Sequence, residues 1–337
     1  MALKSRNKKV SWPDCSDLFH PYPQSKKSNV KVYIDNNIKM TDSELVVYDW
    51  SDSSSNEDRR RIYATDNTKP TNRFTICKYM SFQRAKLSLF DMANQYISFV
   101  SPNEWTDPFE YKLCNENVLQ KKRLFCFCST YSRSDNEEAM WKSYDSDFTG
   151  SRVLLFFDFI RLIDALSRVR IAGVEFYVSI IKYDKGKEEL EAAIGIMATD
   201  ATSVIDKMSH KRKAFKYENE LRIYAIVDSD KCDDTNFFRV KLPLTEKVDK
   251  NEEKLTSPKS NKYERILSKV KLPPYKPGKK GDYTAIEYCL LQGKKNQPIR
   301  SFFYDLGYKG ANDIEECRMY AIMSSTEKKR LKKLLNK

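Results

Sequence analysis

The sequence predicts an α+β fold of short mixed strands and short helices. Two observations lead there. Brief apolar runs such as Tyr96–Val100, Leu124–Cys128 and Val153–Phe157 are rich in Phe, Val and Ile and too short for helices. Helix-like stretches, Ile160–Val169 and Asp200–Met208, stand between them. Glycine is scarce, 9 residues in 337, and no GxGxxG or GxxxxGK[ST] occurs. That argues against dinucleotide folds of the Rossmann type and against P-loop nucleotide hydrolysis.

Taken in order, residues 1–70 read as an N-terminal extension or small subdomain. Val30–Ile34 and Glu44–Trp50 have strand character, separated by the loop-like SWPDCSD, HPYPQSKKS and SDSSSNEDRRR. Asp49, Asp52, Glu57 and Asp58 form an acidic patch before Arg59–Arg61. A core α+β domain spans 71–248. It opens with the strand FTICKYMSF, a helix over Leu87–Asn94 and the strand YISFV. A turn-rich SPNEWTDPFE follows, then the strand LFCFCSTYS. Ser134 and Asp135 begin a short helix. After Gly150 come the strand SRVLLFFDF, the helix IRLIDALSRV and the strand VEFYVSIIKY. Helices over Glu188–Ala193 and Asp200–Met208 precede a final strand, NFFRVKLPL. Residues 249–337 read as a basic Lys/Pro-rich insertion, with Tyr283–Leu291 as one short ordered piece. A terminal helix follows, started by the capping box Ser324 and Glu327.

The stretch with most chemistry is KRKAFKYENELRIYAIV, Lys211–Val227. Alternation of Tyr217, Asn219, Leu221 and Ile223 with Glu218, Glu220, Arg222 and Tyr224 has the period of a strand. On that reading Glu218, Glu220 and Arg222 share one face. Two acids beside an arginine make either a solvated charge ladder or a catalytic strand that sets a carboxylate against a cationic transition state.

Composition narrows the chemistry. The only histidines are His20 and His210, too few for clustered-imidazole schemes. Eight scattered cysteines without a CxxC pair read as reduced thiols of a cytoplasmic protein. No stretch approaches a membrane span. The net charge is +13, and residues 254–300 hold twelve Lys/Arg against three acids. That segment (Lys254–Arg300) and the tail Lys328–Lys337 are candidate contacts for DNA or RNA.

CKYM (77–80), TDPFE (106–110), CFCS (126–129), MWKSY (140–144), GSRVLLFFD (150–158) and YENELR (217–222) appear in the order typical of a mainly bacterial family, domain of unknown function 2971, which the chain resembles over roughly 74–230. Met80, Thr106 and Leu221 stand where that family has arginine, asparagine and tryptophan. The family's strand order is in turn similar to the split sheet of ADP-ribosyltransferases, with a basic or polar residue on the first strand, a middle serine or aromatic and a late glutamate. The resemblance implies NAD as substrate, transferred or hydrolysed at the nicotinamide–ribose bond by a bacterial or phage toxin or defence effector with an antitoxin or defence-complex partner. It implies Glu220 as the carboxylate at the ribose and Glu218 as the group that orients or deprotonates the acceptor. Lys78 then holds pyrophosphate in place of the missing arginine. Tyr79, Trp141 and Tyr144 become aromatic contacts, Ser129 supports the ribose, and Arg222 orients the carboxylate. The alternatives are a non-catalytic nucleic-acid or protein binding module on the same fold, and a metal-dependent nuclease built on Glu218, Glu220 and Asp158.

Overall fold

A computed structural model describes residues 19–22, 30–40, 44–48, 61–66, 74–89, 95–105, 107, 110, 119, 121–131, 140–141, 152–184, 195, 200–232, 236–245, 265–274, 285–308 and 313–316. The early strands are β1 (Phe19–Pro21), β2 (Lys31–Asp35), β3 (Ile38–Met40), β4 (Glu44–Tyr48), β5 (Arg61–Asp66) and β6 (Thr75–Ser81). Then follow α1 (Phe82–Leu89), β7 (Tyr96–Val100), β8 (Lys122–Thr130), β9 (Arg152–Asp158), α2 (Phe159–Ser167), β10 (Val174–Ile180) and β11 (Lys182–Asp184). The chain continues through α3 (Ala201–Met208), β12 (His210–Arg212), β13 (Glu220–Asp228), β14 (Phe237–Lys241), β15 (Leu267–Leu272), α4 (Ala285–Asp305) and β16 (Ile314–Glu316). The architecture is α+β, as composition and periodicity predict.

One mixed sheet dominates, with the order β1-β2-β10-β13-β8-β6-β9-β15-β16. Its β2–β10 and β15–β16 pairs are parallel. Its longest ladder is antiparallel β8–β13, from Glu220 opposite Thr130 to Asp228 opposite Lys122. Beyond that ladder the sheet forks. The far edge of β8 pairs with β7 at Cys126 and with β6 at Thr130. The β7 branch continues to β14, the β6 branch to β9. Cys128 lies on β8 between the two pairing points, at the root of the fork.

Alternation along β13 explains the covering of both faces. Leu221, Ile223, Ala225 and Val227 join Phe125, Phe127 and the α2 residues Phe159, Leu162 and Leu166 in the main core. Tyr224 and Ile226 point the other way, onto Val204, Ile205 and Met208 of α3. Asp158 caps α2 by accepting a hydrogen bond from the Arg161 amide at 3.1 Å, and Asp200 caps α3 with a full capping box. Gly173, at φ 77°, makes the turn into β10; a side chain there would collide with Asp228.

Several boundaries differ from those the sequence predicts. α1 starts at Phe82, directly after β6, rather than at Leu87. The Lys/Pro-rich segment contributes β15, which pairs with β9, and the 21-residue α4. Apolar residues of that segment, Leu267, Val270 and Leu272, are fully buried and supply the reason. Three of its basic side chains serve the fold. Lys269 and Lys271 pair with Glu315, and Arg265 lies over the Tyr308 ring at 4.3 Å. Strand β2, from the N-terminal segment, is likewise part of the main sheet. The expected helices at Ser134 and Glu188–Ala193, Tyr144, and the tail Lys328–Lys337 lie outside the described residues.

Phe99 is fully buried and its ring meets those of Phe127, Phe176 and Phe238. Phe99→Ala is expected to destabilise the fold by about 3–5 kcal/mol, read from the midpoint of urea unfolding. A midpoint shift within error would mean that the branch carrying β7 is not part of this core.

Candidate functional site

Strand β13 starts at Glu220, not at Tyr217. Residues 213–218 form a 3-10 turn, and Asn219 closes it in the left-handed conformation at φ 42° and ψ 56°. Asparagine tolerates that region better than most side chains do. The Tyr183 hydroxyl on β11 accepts a hydrogen bond from the Glu220 amide at 2.8 Å and fixes the first residue of the strand. β12 lies parallel to β11, with Lys211 opposite Tyr183.

This arrangement brings Glu218 and Glu220 together on one ammonium. Lys211 Nζ donates to Glu218 Oε2 at 2.6 Å and to Glu220 Oε2 at 3.0 Å. Glu110 Oε2 stands 3.5 Å from the same nitrogen. Arg222 completes the cluster. Its Nε donates to Glu220 Oε1 at 2.7 Å, its Nη1 to the Met208 carbonyl at 2.9 Å, and its Nη2 to Glu110 Oε1. All five side chains are buried. Three carboxylates therefore share two cations.

The motif WTDPFE clasps this cluster from outside the strand. The Trp105 ring lies 4.5 Å from the Arg222 guanidinium carbon, Asp107 accepts from Arg212 Nη2 at 2.9 Å, and Glu110 bridges Arg222 and Lys211. Sequence reasoning picked out that motif and the basic run at 211 but assigned neither Trp105, Glu110 nor Lys211 to the site. The available signal was composition: a buried Glu-x-Glu-x-Arg needs further counter-charges nearby.

The two central carboxyls differ in proton affinity. Burial works against the charge of Glu220, but Arg222 and Lys211 outweigh it and hold the group down to about 2. Burial pushes Glu218 up; Lys211 opposes this and Glu220 adds to it. Lys211 is itself held above the usual lysine range, since Glu220, Glu110 and Glu218 together overcome its desolvation. Both oxygens of Glu220 are engaged. Among the described residues, Glu218 Oε1 accepts no hydrogen bond.

Glu218 and Glu220 border a cavity of about 80 Å3 at the fork, shared with Cys77, Lys78, Tyr79, Cys128, Ser129, Thr130 and Met140. Lys78 lies over the Phe127 ring at 4.3 Å and extends into the gap, where its Nζ donates to the Cys128 carbonyl at 2.7 Å. Burial lowers its proton affinity, and Glu220 is near enough to act on it electrostatically. Ser129 donates its hydroxyl to the Leu221 carbonyl at 2.8 Å.

The structure thus brings together Lys78, Tyr79, Ser129, Glu218 and Glu220 around one cavity. Arg222 sits behind it, fully buried. Trp141 is also fully buried, edge-on to Tyr79 at 4.9 Å in a cluster with Met140, Leu154 and Phe156, so its face is covered by protein. Met80 packs on the main core. Asp158 is engaged as the α2 cap, and among the described residues no His, Cys, Asp and Glu side chains are grouped to hold a metal ion. The three carboxylates instead converge on the Lys211 ammonium. No helix among the described residues is long and apolar enough to cross a membrane. Comparison with protein-family models, curated proteins and solved structures finds no match.

Lys211→Met should destabilise the protein by about 3–5 kcal/mol, because it strands buried carboxylates without their shared ammonium. Denaturant unfolding at pH 7 reads this, and an unchanged midpoint would show the cluster to be hydrated. The acid limb tests the charge states. Glu220 has a depressed folded value, so its contribution is complete above the ordinary 4.5 and is lost as pH falls toward about 2. Its size is on the order of 3 kcal/mol. Glu218 runs oppositely: its raised value favours the folded state at low pH, and this is lost as pH rises above 4.5. Glu220→Gln should therefore flatten the loss of stability below pH 4.5, followed by unfolding curves across pH. An acid limb as steep as that of the wild type would remove Glu220 from the titration.

Proposed function

We propose that this chain cleaves the nicotinamide–ribose bond of NAD, as an ADP-ribosyltransferase or NAD glycohydrolase, in the cavity at the fork of the sheet. The observation that carries this reading is an incompletely paired carboxylate, Glu218, bordering a cavity that the lysine Lys78 also borders. When neutral nicotinamide leaves, the ribose carbon develops oxocarbenium-like positive charge, as in glycoside cleavage. No general acid is required for that departure. What the transition state needs is a nearby ionised carboxylate, and Glu220, held as an anion by Arg222 and Lys211, is the group for it.

The residues divide the work by their surroundings. Glu220 supplies the negative charge. Glu218, with one free oxygen and an affinity for a proton, takes a hydrogen bond from a ribose hydroxyl or the proton of the acceptor. Lys78 offers its ammonium to a phosphate. A cavity of about 80 Å3 has room for several waters or one ring, so only the reacting end of NAD enters it and the remainder lies across the mouth. The reading rests on the resemblance to domain of unknown function 2971 and, through it, to ADP-ribosyltransferases, whose first-strand base, middle serine and late glutamate correspond to Lys78, Ser129 and Glu220, three residues that border the cavity at the fork. Action inside the cell as a toxin or defence effector, with nucleic acid as target, belongs to the same proposal and rests on the +13 net charge.

One observation favours a second reading. Both oxygens of Glu220 are already bonded, as in a purely structural ion cluster. On that reading the fold is a binding module that consumes nothing.

Nicotinamide release from NAD, with and without RNA, DNA or cell lysate, separates the two. Wild type should release nicotinamide, with Glu218→Gln and Glu220→Gln slower by on the order of 10²–10³-fold and folded by circular dichroism. A folded wild type that releases none in any mixture, yet binds nucleic acid in a salt-sensitive way, would mark the binding module.

A further inference from the structure

Two thiols lie at the root of the fork, and the reaction proposed above uses neither. Cys126 and Cys128 alternate along β8 and so project from the same face. Their Sγ atoms are 3.6 Å apart, and both thiols are free. Cys126 is fully buried beneath α3, whereas Cys128 is only half-buried and borders the cavity. Lys78 from β6 donates to the Cys128 carbonyl at 2.7 Å, and Arg222 of β13 stands opposite Cys128 in the ladder. The pair therefore combines a half-buried thiol on a cavity-bordering residue with a second, fully buried thiol 3.6 Å from it, the layout of an attacking thiol and its resolving partner.

We propose that Cys126 and Cys128 form a reversible oxidation site for peroxides, in which Cys128 meets the oxidant from the cavity and Cys126 closes the disulfide. In the first step the Cys128 thiolate attacks one peroxide oxygen. The S–O bond forms, the O–O bond breaks, and hydroxide leaves as water after taking up a proton. Cys128 is now a sulfenic acid. In the second step the Cys126 sulfur, giving up its proton, attacks the Cys128 sulfur. The S–S bond forms, the S–O bond breaks, and a second water leaves. Two thiols are oxidised by the two electrons that reduce one hydrogen peroxide to two waters.

The strand makes this bond consequential for the cavity. Residues two apart in an extended strand are about 6.6–6.8 Å apart at Cα, and their parallel Cβ atoms about as far, whereas a disulfide brings Cβ atoms to about 3.5–4.5 Å. Closure therefore draws β8 together around Phe127. Phe127 carries the Lys78 side chain on its ring, and the next carbonyl, that of Cys128, holds the Lys78 amino group. Oxidation acts on the one lysine of the cavity wall through the two contacts that position it. A disulfide at the limit of its geometry is also readily reduced, which makes the change reversible.

The test is independent of whether NAD is the substrate. Trypsin releases Leu124–Arg133, LFCFCSTYSR, which contains both cysteines and no other. The intact protein is treated with hydrogen peroxide, alkylated, digested and analysed by mass spectrometry. The expected result is a peptide that escapes alkylation and is lighter by two hydrogens, restored by dithiothreitol. Cys126→Ser should instead leave Cys128 as a sulfenic acid trapped by dimedone, and Cys128→Ser should leave Cys126 unoxidised. The idea is overturned if the peptide stays alkylated on both thiols while other cysteines oxidise. It is equally overturned if Cys128 links to a cysteine other than Cys126, or if wild-type Cys128 proceeds to sulfinic acid without closing.

Discussion

The contact on which the site depends is the Lys211 ammonium, set among Glu110, Glu218 and Glu220. Those carboxylates come from a helical residue, a 3-10 turn and the first residue of a strand, and like charges buried so close repel strongly. The ammonium makes their approach tolerable, and Arg222 ties two of them to the sheet. Removing any cation leaves the rest uncompensated, so the five side chains form a unit. Such a unit adds little stability relative to apolar residues of the same volume. What it provides is a fixed set of charges in a place that water only partly reaches.

The fork explains why that place exists. One edge of β8 is fully paired with β13. The other edge is shared, β7 taking Cys126 and β6 taking Thr130. Between those points a backbone carbonyl needs a donor, since a buried carbonyl left unpaired is costly. Lys78 supplies it with a side chain rather than a strand. Where a third strand would have closed the sheet, there is a gap lined by an amine and two carboxylates.

Much of this was legible in the sequence, for identifiable reasons. Arg152–Asp158 announces itself because both faces are buried and the run is apolar, and Tyr96–Val100 because its burial alternates with period two. Glu220 and Arg222 were correctly given one face by their spacing. β15 was hidden because its half-buried positions include Lys269 and Lys271, which made a buried Leu267–Val270–Leu272 stripe look like part of a charged loop. α1 was displaced because nothing local distinguishes the end of β6 from the first helical turn. Trp105 and Glu110 escaped assignment because both meet Arg222 from about a hundred residues away; Lys211 escaped because the 3-10 turn, not a strand, folds Glu218 and Glu220 back onto it. Periodicity reports which face a residue occupies, not what it meets there.

Asn219 shows what the difference between a strand and a turn does to chemistry. An unbroken strand from Tyr217 would have given Glu218 and Glu220 equivalent places on one ladder. The left-handed residue ends the 3-10 turn and starts the strand between them. Glu220 then falls in register opposite Thr130, where Arg222 two residues on can reach both its oxygens. Glu218 remains on the turn, touching the cluster through one oxygen. Two identical side chains two residues apart thus acquire opposite proton affinities, one fixed as an anion and one able to take a proton. A site that must hold a charge and also move a proton needs that division, and here a single backbone conformation provides it.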